Sequence, residues 1–318
     1  MNNDLKKLQV KFVVGIIIIV LVYVLFTIIS DIEKITSIFS TIMIHSYLVP
    51  IIILFSSSLT LRGFIQKQIL KQLGIDLSFR ESLSLYFAGL SMLITPFGMG
   101  QTIKSHFLKE QYEIPYAKSI PLVLAERLYD FIFIIIFLWF STIFVFGNES
   151  LYVTIFSTIL LILIITCAKN KSINNFVKYQ ISKFQFFKKK LSSYEELSNS
   201  ISLITQYKKI LKILPLVFVA FTIETIVIHL GFMSFQIDST YFESIQIFYS
   251  SILLGIFSFL PGGVGITEGS FITFLTNDDV SFSLASSLII FLRLVTIWSV
   301  SIVGFIFTFR FLRSLKNN

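Results

Sequence analysis

The sequence predicts an all-α polytopic membrane protein of six transmembrane helices and two re-entrant broken-helix hairpins, arranged as an inverted repeat. Three observations lead there. Of 318 residues, 55% are hydrophobic, 16% aromatic and 14% charged, too little polar surface to cover a soluble globule. Several apolar runs reach the roughly 20 residues with which a helix crosses a hydrocarbon core of about 30 Å. Two shorter apolar stretches each end at a Pro-Gly interruption, and the two interruptions share one spacing.

The six expected spans are residues Phe12 to Ile29, Ile42 to Leu61, Ile120 to Phe146, Leu151 to Ala168, Ile213 to Phe235 and Ser283 to Phe309. The first run is followed by Asp31 and Glu33 without a small-residue cleavage motif, so it reads as a retained span rather than a signal peptide. The whole chain reads as one membrane domain: a first half over 1–168, a basic linker over 169–212 and a second half over 213–318.

Charge placement orients the spans. The linker holds ten lysines against Glu195 and Glu196, which accounts for the formal net charge of +8. A basic stretch between spans is a cytoplasmic loop against anionic lipid, and no nucleic-acid partner is expected. Lys6, Lys7 and Lys11, then Arg62, Lys67, Lys71 and Arg80 after the second span, and Arg310, Arg313 and Lys316 at the end also belong inside. Both termini are therefore expected in the cytoplasm of a multi-pass plasma-membrane protein. The short stretches Ser82 to Thr95 and Ser244 to Leu260 would break this parity as lone crossings, so each is expected to enter, break and leave on its own side.

The breaks read TPFGMGQ, with Pro96, Gly98 and Gly100, and LPGGVGI, with Pro261, Gly263 and Gly265. Arg127 and Arg293 follow the respective prolines by 31 and 32 residues. Broken helices in inverted repeats are a recurring transporter plan. Proline ends the incoming helix, glycine allows the unwound backbone, and the outgoing helix begins with unpaired N–H groups. With Arg127 and Arg293 nearby, such ends could hold the phosphate or carboxylate of a lipid headgroup.

Other ionisable groups fall within apolar runs. Glu126 and Asp130 share a helix face, and Asp130 can pair with Arg127. Arg293 lies too deep in its run for an end anchor. Glu268 sits in the first turn after the second break, suited to a cap, to substrate or to a proton. Glu224, mid-span, reads as protonated or paired with an arginine, and with Asp130 it is a possible proton-coupling group. Cys167 has no partner cysteine, and His45, His106 and His229 show no metal-ligand spacing, so neither metal nor cofactor is expected.

The stretches TPFGMGQTIKSHFLKEQYEIPYAKSIPLVLAERLYD and LPGGVGITEGSFITFL, with the Arg293 span, resemble the flippase-like transmembrane region of bacterial lysylphosphatidylglycerol synthases over about Arg62 to Arg310. The resemblance matches Pro96, Gly98, Gly100, Glu126, Arg127, Pro261, Gly262, Gly263, Gly265, Glu268 and Arg293 to positions typical of that family. Here Gln101 follows Gly100, where the family commonly has glutamate. With about 44 residues between the fourth and fifth spans, no aminoacyl-transfer domain fits. The resemblance thus implies a non-enzymatic lipid translocator. The alternatives are a membrane subunit partnering a separately encoded glycosyltransferase or lipid-modifying enzyme, and a membrane transferase acting on lipid-linked phosphate. The last lacks a metal-binding acid motif.

Overall fold

The computed structural model describes residues 44–145, 148–169, 199–200 and 206–317. The expected first span and most of the basic linker lie outside the described residues. Among the described residues ten helices follow one another: α1 (Ile44–Gln72), α2 (Phe79–Leu90), α3 (Ile103–Tyr112), α4 (Tyr116–Phe144), α5 (Asn148–Lys169), α6 (Tyr207–Ser234), α7 (Tyr241–Phe257), α8 (Ile266–Asn277), α9 (Phe282–Arg293) and α10 (Ser299–Asn317). A 3₁₀ turn at Pro96–Thr102 separates α2 from α3, another at Pro261–Gly263 separates α7 from α8, and a π turn at Leu294–Trp298 joins α9 to α10. Among the described residues, three continuous helical stretches, His45–Gln72, Lys208–Ser234 and Phe282–Arg313, are long and apolar enough to cross a membrane.

Local chemistry sets these boundaries. Ser78 and Glu81 form a reciprocal capping box at the start of α2, as do Thr240 and Glu243 at the start of α7. The hydrogen bonds from Ser78 hold the Glu81 carboxyl below its ordinary range. Pro115 precedes the first turn of α4, and Glu113, in left-handed conformation, ends α3.

On either side of α5 runs the same order: long helix, short helix, break, short helix, long helix. Packing is reciprocal. α1 lies along α6, α10 along α2, α4 along α7, and the two breaks touch each other. The core between them is rich in Phe, Leu and Ile, with stacked pairs such as Phe107 on Phe311 and Phe133 on Phe221.

One position reveals how closely α10 and α2 approach. A Cβ at Gly304 would stand 2.4 Å from the Ser91 nitrogen and 2.8 Å from the Phe87 carbonyl oxygen, backbone atoms that cannot turn aside. Thr308 adds a hydrogen bond to the Ala88 carbonyl at 3.0 Å, serving one of the last carbonyls of α2. Gly304→Ala is expected to cost about 1–3 kcal/mol by forcing the helices apart. Gly269→Ala on α8, where an added Cβ meets nothing within 4 Å, is expected to leave stability unchanged or slightly raised. Thermal melting in detergent checks the pair, and equal behaviour of the two variants would refute the close approach.

One sequence expectation changes. Arg62 does not follow a finished span: α1 continues to Gln72, and Arg62 lies within it, part-buried and paired. The buried stripe Ile65, Gln66, Ile69 and Leu70 continues the helix inward and carries Arg62 with it. The expected final span is one continuous helical stretch, Phe282–Arg313, with a π turn directly after Arg293.

Candidate functional site

The breaks face a half-open cavity of about 480 Å³ at the centre of the described residues. Gly98, Gly262 and Gly263 reach it from the breaks, Arg62 from α1, Arg127 and Asp130 from α4, Glu224 from α6 and Arg293 from α9. The remaining wall is mainly apolar and aromatic, including Tyr86, Phe131 and Tyr249. A few convergent polar groups in an apolar hollow are what a binding site for an amphipathic molecule requires.

The first break is built for close approach. Gly98 has a positive φ, and a side chain added there would begin 3.5 Å from the Arg127 guanidinium. The Thr95 hydroxyl accepts the Gly100 N–H at 2.6 Å, which fixes the turn. At the second break the Arg293 guanidinium occupies the corner itself. Its Nε donates to Glu268 at 2.7 Å and its NH2 to the Gly262 carbonyl at 3.0 Å, while the other oxygen of Glu268 caps the Gly265 N–H at 2.7 Å. Gly265 and Glu268 thus shape the start of α8 and do not line the cavity.

Charges within the cavity are chained. Arg62 donates to both oxygens of Glu224, at 2.5 and 2.7 Å, and to Asp130 at 2.7 Å, joining α1, α6 and α4. Asp130 also meets Arg127 at 3.1 Å, the i, i+3 pairing read from the sequence. Glu224 is paired with an arginine, and that arginine is Arg62, with Ser58 donating a further hydrogen bond at 2.6 Å.

Glu126 faces away from the cavity, against Lys104 at 2.6 Å. Lys104 is fully buried; its stem packs over Gly89, where an added Cβ would fall 2.1 Å from it, and its ammonium lies over the Tyr86 ring. The outgoing helix of each half is therefore braced to the following long helix by a buried ion pair, Lys104–Glu126 in the first and Glu268–Arg293 in the second, with the signs exchanged.

Of the residues singled out by sequence, Arg127, Arg293, Gly98, Gly263, Asp130 and Glu224 line the cavity. Glu126, Glu268, Gly100 and Gly265 support it from behind, and Pro96 and Pro261 open the two 3₁₀ turns. Sequence reasoning missed Arg62 and the pairing of Lys104. The repeat held a signal for the second: Lys104 lies eight residues after Pro96 and Glu268 seven after Pro261, a one-residue offset.

Two proteins of Methanothermobacter thermautotrophicus (strain Delta H), each described as UPF0104 membrane protein, are similar to parts of the chain. One match is 27% identical over 36% of this chain and 34% of the relative; the other is 34% identical over 27% of this chain and 25% of the relative. The chain thus spans about a third or less of the length of the curated relatives it matches. No solved structure matches. The family model described as lysylphosphatidylglycerol synthase TM region matches residues 12–304, and the chain belongs to that family of integral membrane proteins.

Proposed function

We propose that the chain is a lipid translocator in which a polar, phosphate-bearing headgroup enters the central cavity while its acyl tails remain in the bilayer. The observation that carries this reading is the meeting of two Pro-Gly breaks at one half-open cavity whose wall is mainly apolar around a short chain of arginines and carboxylates. Six spans, two re-entrant hairpins and opposite orientation of the halves complete the reading. The matching element order and the reciprocal packing of α2 on α10 and α7 on α4 support it, since a pseudo-two-fold axis produces that exchange. Arg127, the arginine with the most exposed side chain in the cluster, would receive the phosphate, with Gly98 leaving room beside it. The plasma membrane, with both termini in the cytoplasm, is the proposed setting.

The test is headgroup scrambling of fluorescent phospholipids in proteoliposomes. The wild-type chain is expected to accelerate scrambling, and Arg127→Ala and Gly98→Leu, each folded by gel filtration, to return it to the protein-free rate. A folded wild type inactive with every lipid would overturn translocation and favour a membrane subunit serving a separate enzyme, recoverable as a stable complex in mild detergent.

A further inference from the structure

We infer that the cavity selects a headgroup of no net charge, a zwitterion pairing a phosphate with an amine, and that Gln101 sets this preference. The inference rests on the cavity being the headgroup site.

The cavity and its supporting pairs hold Arg62, Lys104, Arg127 and Arg293 against Glu126, Asp130, Glu224 and Glu268 among the described residues, four charges of each sign. Every one lies within 3.1 Å of an opposite partner. A headgroup with net charge of either sign would therefore enter a low-dielectric space with no surplus charge to receive it. A zwitterion keeps the balance.

Both ends of such a headgroup find chemistry here. Among the described residues Arg127 meets one carboxylate and its Nε has no partner, and its side chain is 31% exposed. It can donate to a phosphate oxygen without leaving Asp130 uncompensated, because Arg62 also holds Asp130. Asp130 and Glu224 line the same cavity beside Tyr86 and Tyr249, and carboxylates with aromatic faces are what an alkylated or free ammonium seeks. The Tyr249 hydroxyl is buried and lacks a partner among the described residues.

Gln101 decides the charge count. It is fully buried, and its carbonyl oxygen accepts from Arg127 NH2 at 3.4 Å, so it supplies an acceptor to the guanidinium without a negative charge. A glutamate there would have nearly the same shape and would turn the balanced cluster net negative.

The experiment places fluorescent phosphatidylglycerol, phosphatidylcholine and a trimethylammonium-propane lipid separately in proteoliposomes of the full chain. Lipid binding by native mass spectrometry is measured in parallel. Wild type is expected to favour phosphatidylcholine. Gln101→Glu is expected to shift the preference toward the cationic lipid by about tenfold, and Asp130→Asn to shift it by a similar factor toward phosphatidylglycerol. Opposite shifts from two near-isosteric changes cannot come from lost stability, which would lower all three lipids together. A wild type that handles the three lipids alike, or variants that keep the wild-type order, would overturn the inference while leaving translocation intact. Selective binding without any scrambling would uphold the selectivity and overturn translocation.

Discussion

Arg293→Met lowers the stability of the chain by about 3–5 kcal/mol, the expected consequence of leaving the Glu268 carboxylate buried without its guanidinium. Both side chains of the pair are only 2% exposed, so water cannot replace the lost partner. The Gly262 carbonyl loses its donor as well, and the corner of the second break loses the group that fills it. Adding Glu268→Gln removes the stranded charge while leaving an oxygen to cap the Gly265 N–H. The double variant is therefore expected to recover a large part of the loss without regaining scrambling. Melting in detergent reads the first result and proteoliposome transport the second. A single variant as stable as wild type would mean that Arg293 is not the keystone of the break.

Arg62→Met has the second large effect, about 3 kcal/mol, because one guanidinium serves two carboxylates on two other helices. Asp130 keeps Arg127, and Glu224 keeps the hydroxyl of Ser58, so the burden falls on Glu224. Glu224→Gln in the same chain is expected to restore much of the stability, giving a coupling energy well above the scatter of independent sites in a double-mutant cycle. Additive losses would show that the bridge from α1 to α6 contributes nothing of its own.

The sequence announces its breaks more plainly than its ion pairs. TPFGMGQ and LPGGVGI interrupt apolar runs, and proline with glycine has few other uses there. Arg293 and Glu224 stand out for a similar reason, as charges in the middle of Ile, Leu and Phe. Arg62 does not, because it comes where a run of apolar residues ends and resembles an anchor at the membrane surface. Only the packing of Ile65, Ile69 and Leu70 shows that its helix still faces the interior. Lys104 is harder still. IKSHFLKEQY has the polarity of a surface helix, and nothing in it tells which lysine is buried. What buries Lys104 is the missing side chain at Gly89, on another helix, and such long-range complementarity has no local signature.

The bridge from Arg62 to Glu224 bears on how the two sets of charges fit together. The first half brings Arg62, Lys104 and Arg127 with Glu126 and Asp130, each already able to find a partner within that half. The second brings Glu224, Glu268 and Arg293. Counting these residues alone, the first set carries one cation in excess and the second one carboxylate in excess. Neither surplus is lasting in a lipid environment, since both are cancelled when Glu224 docks on Arg62. The contact between Arg62 and Glu224 thus also matches α6 to α1 by charge.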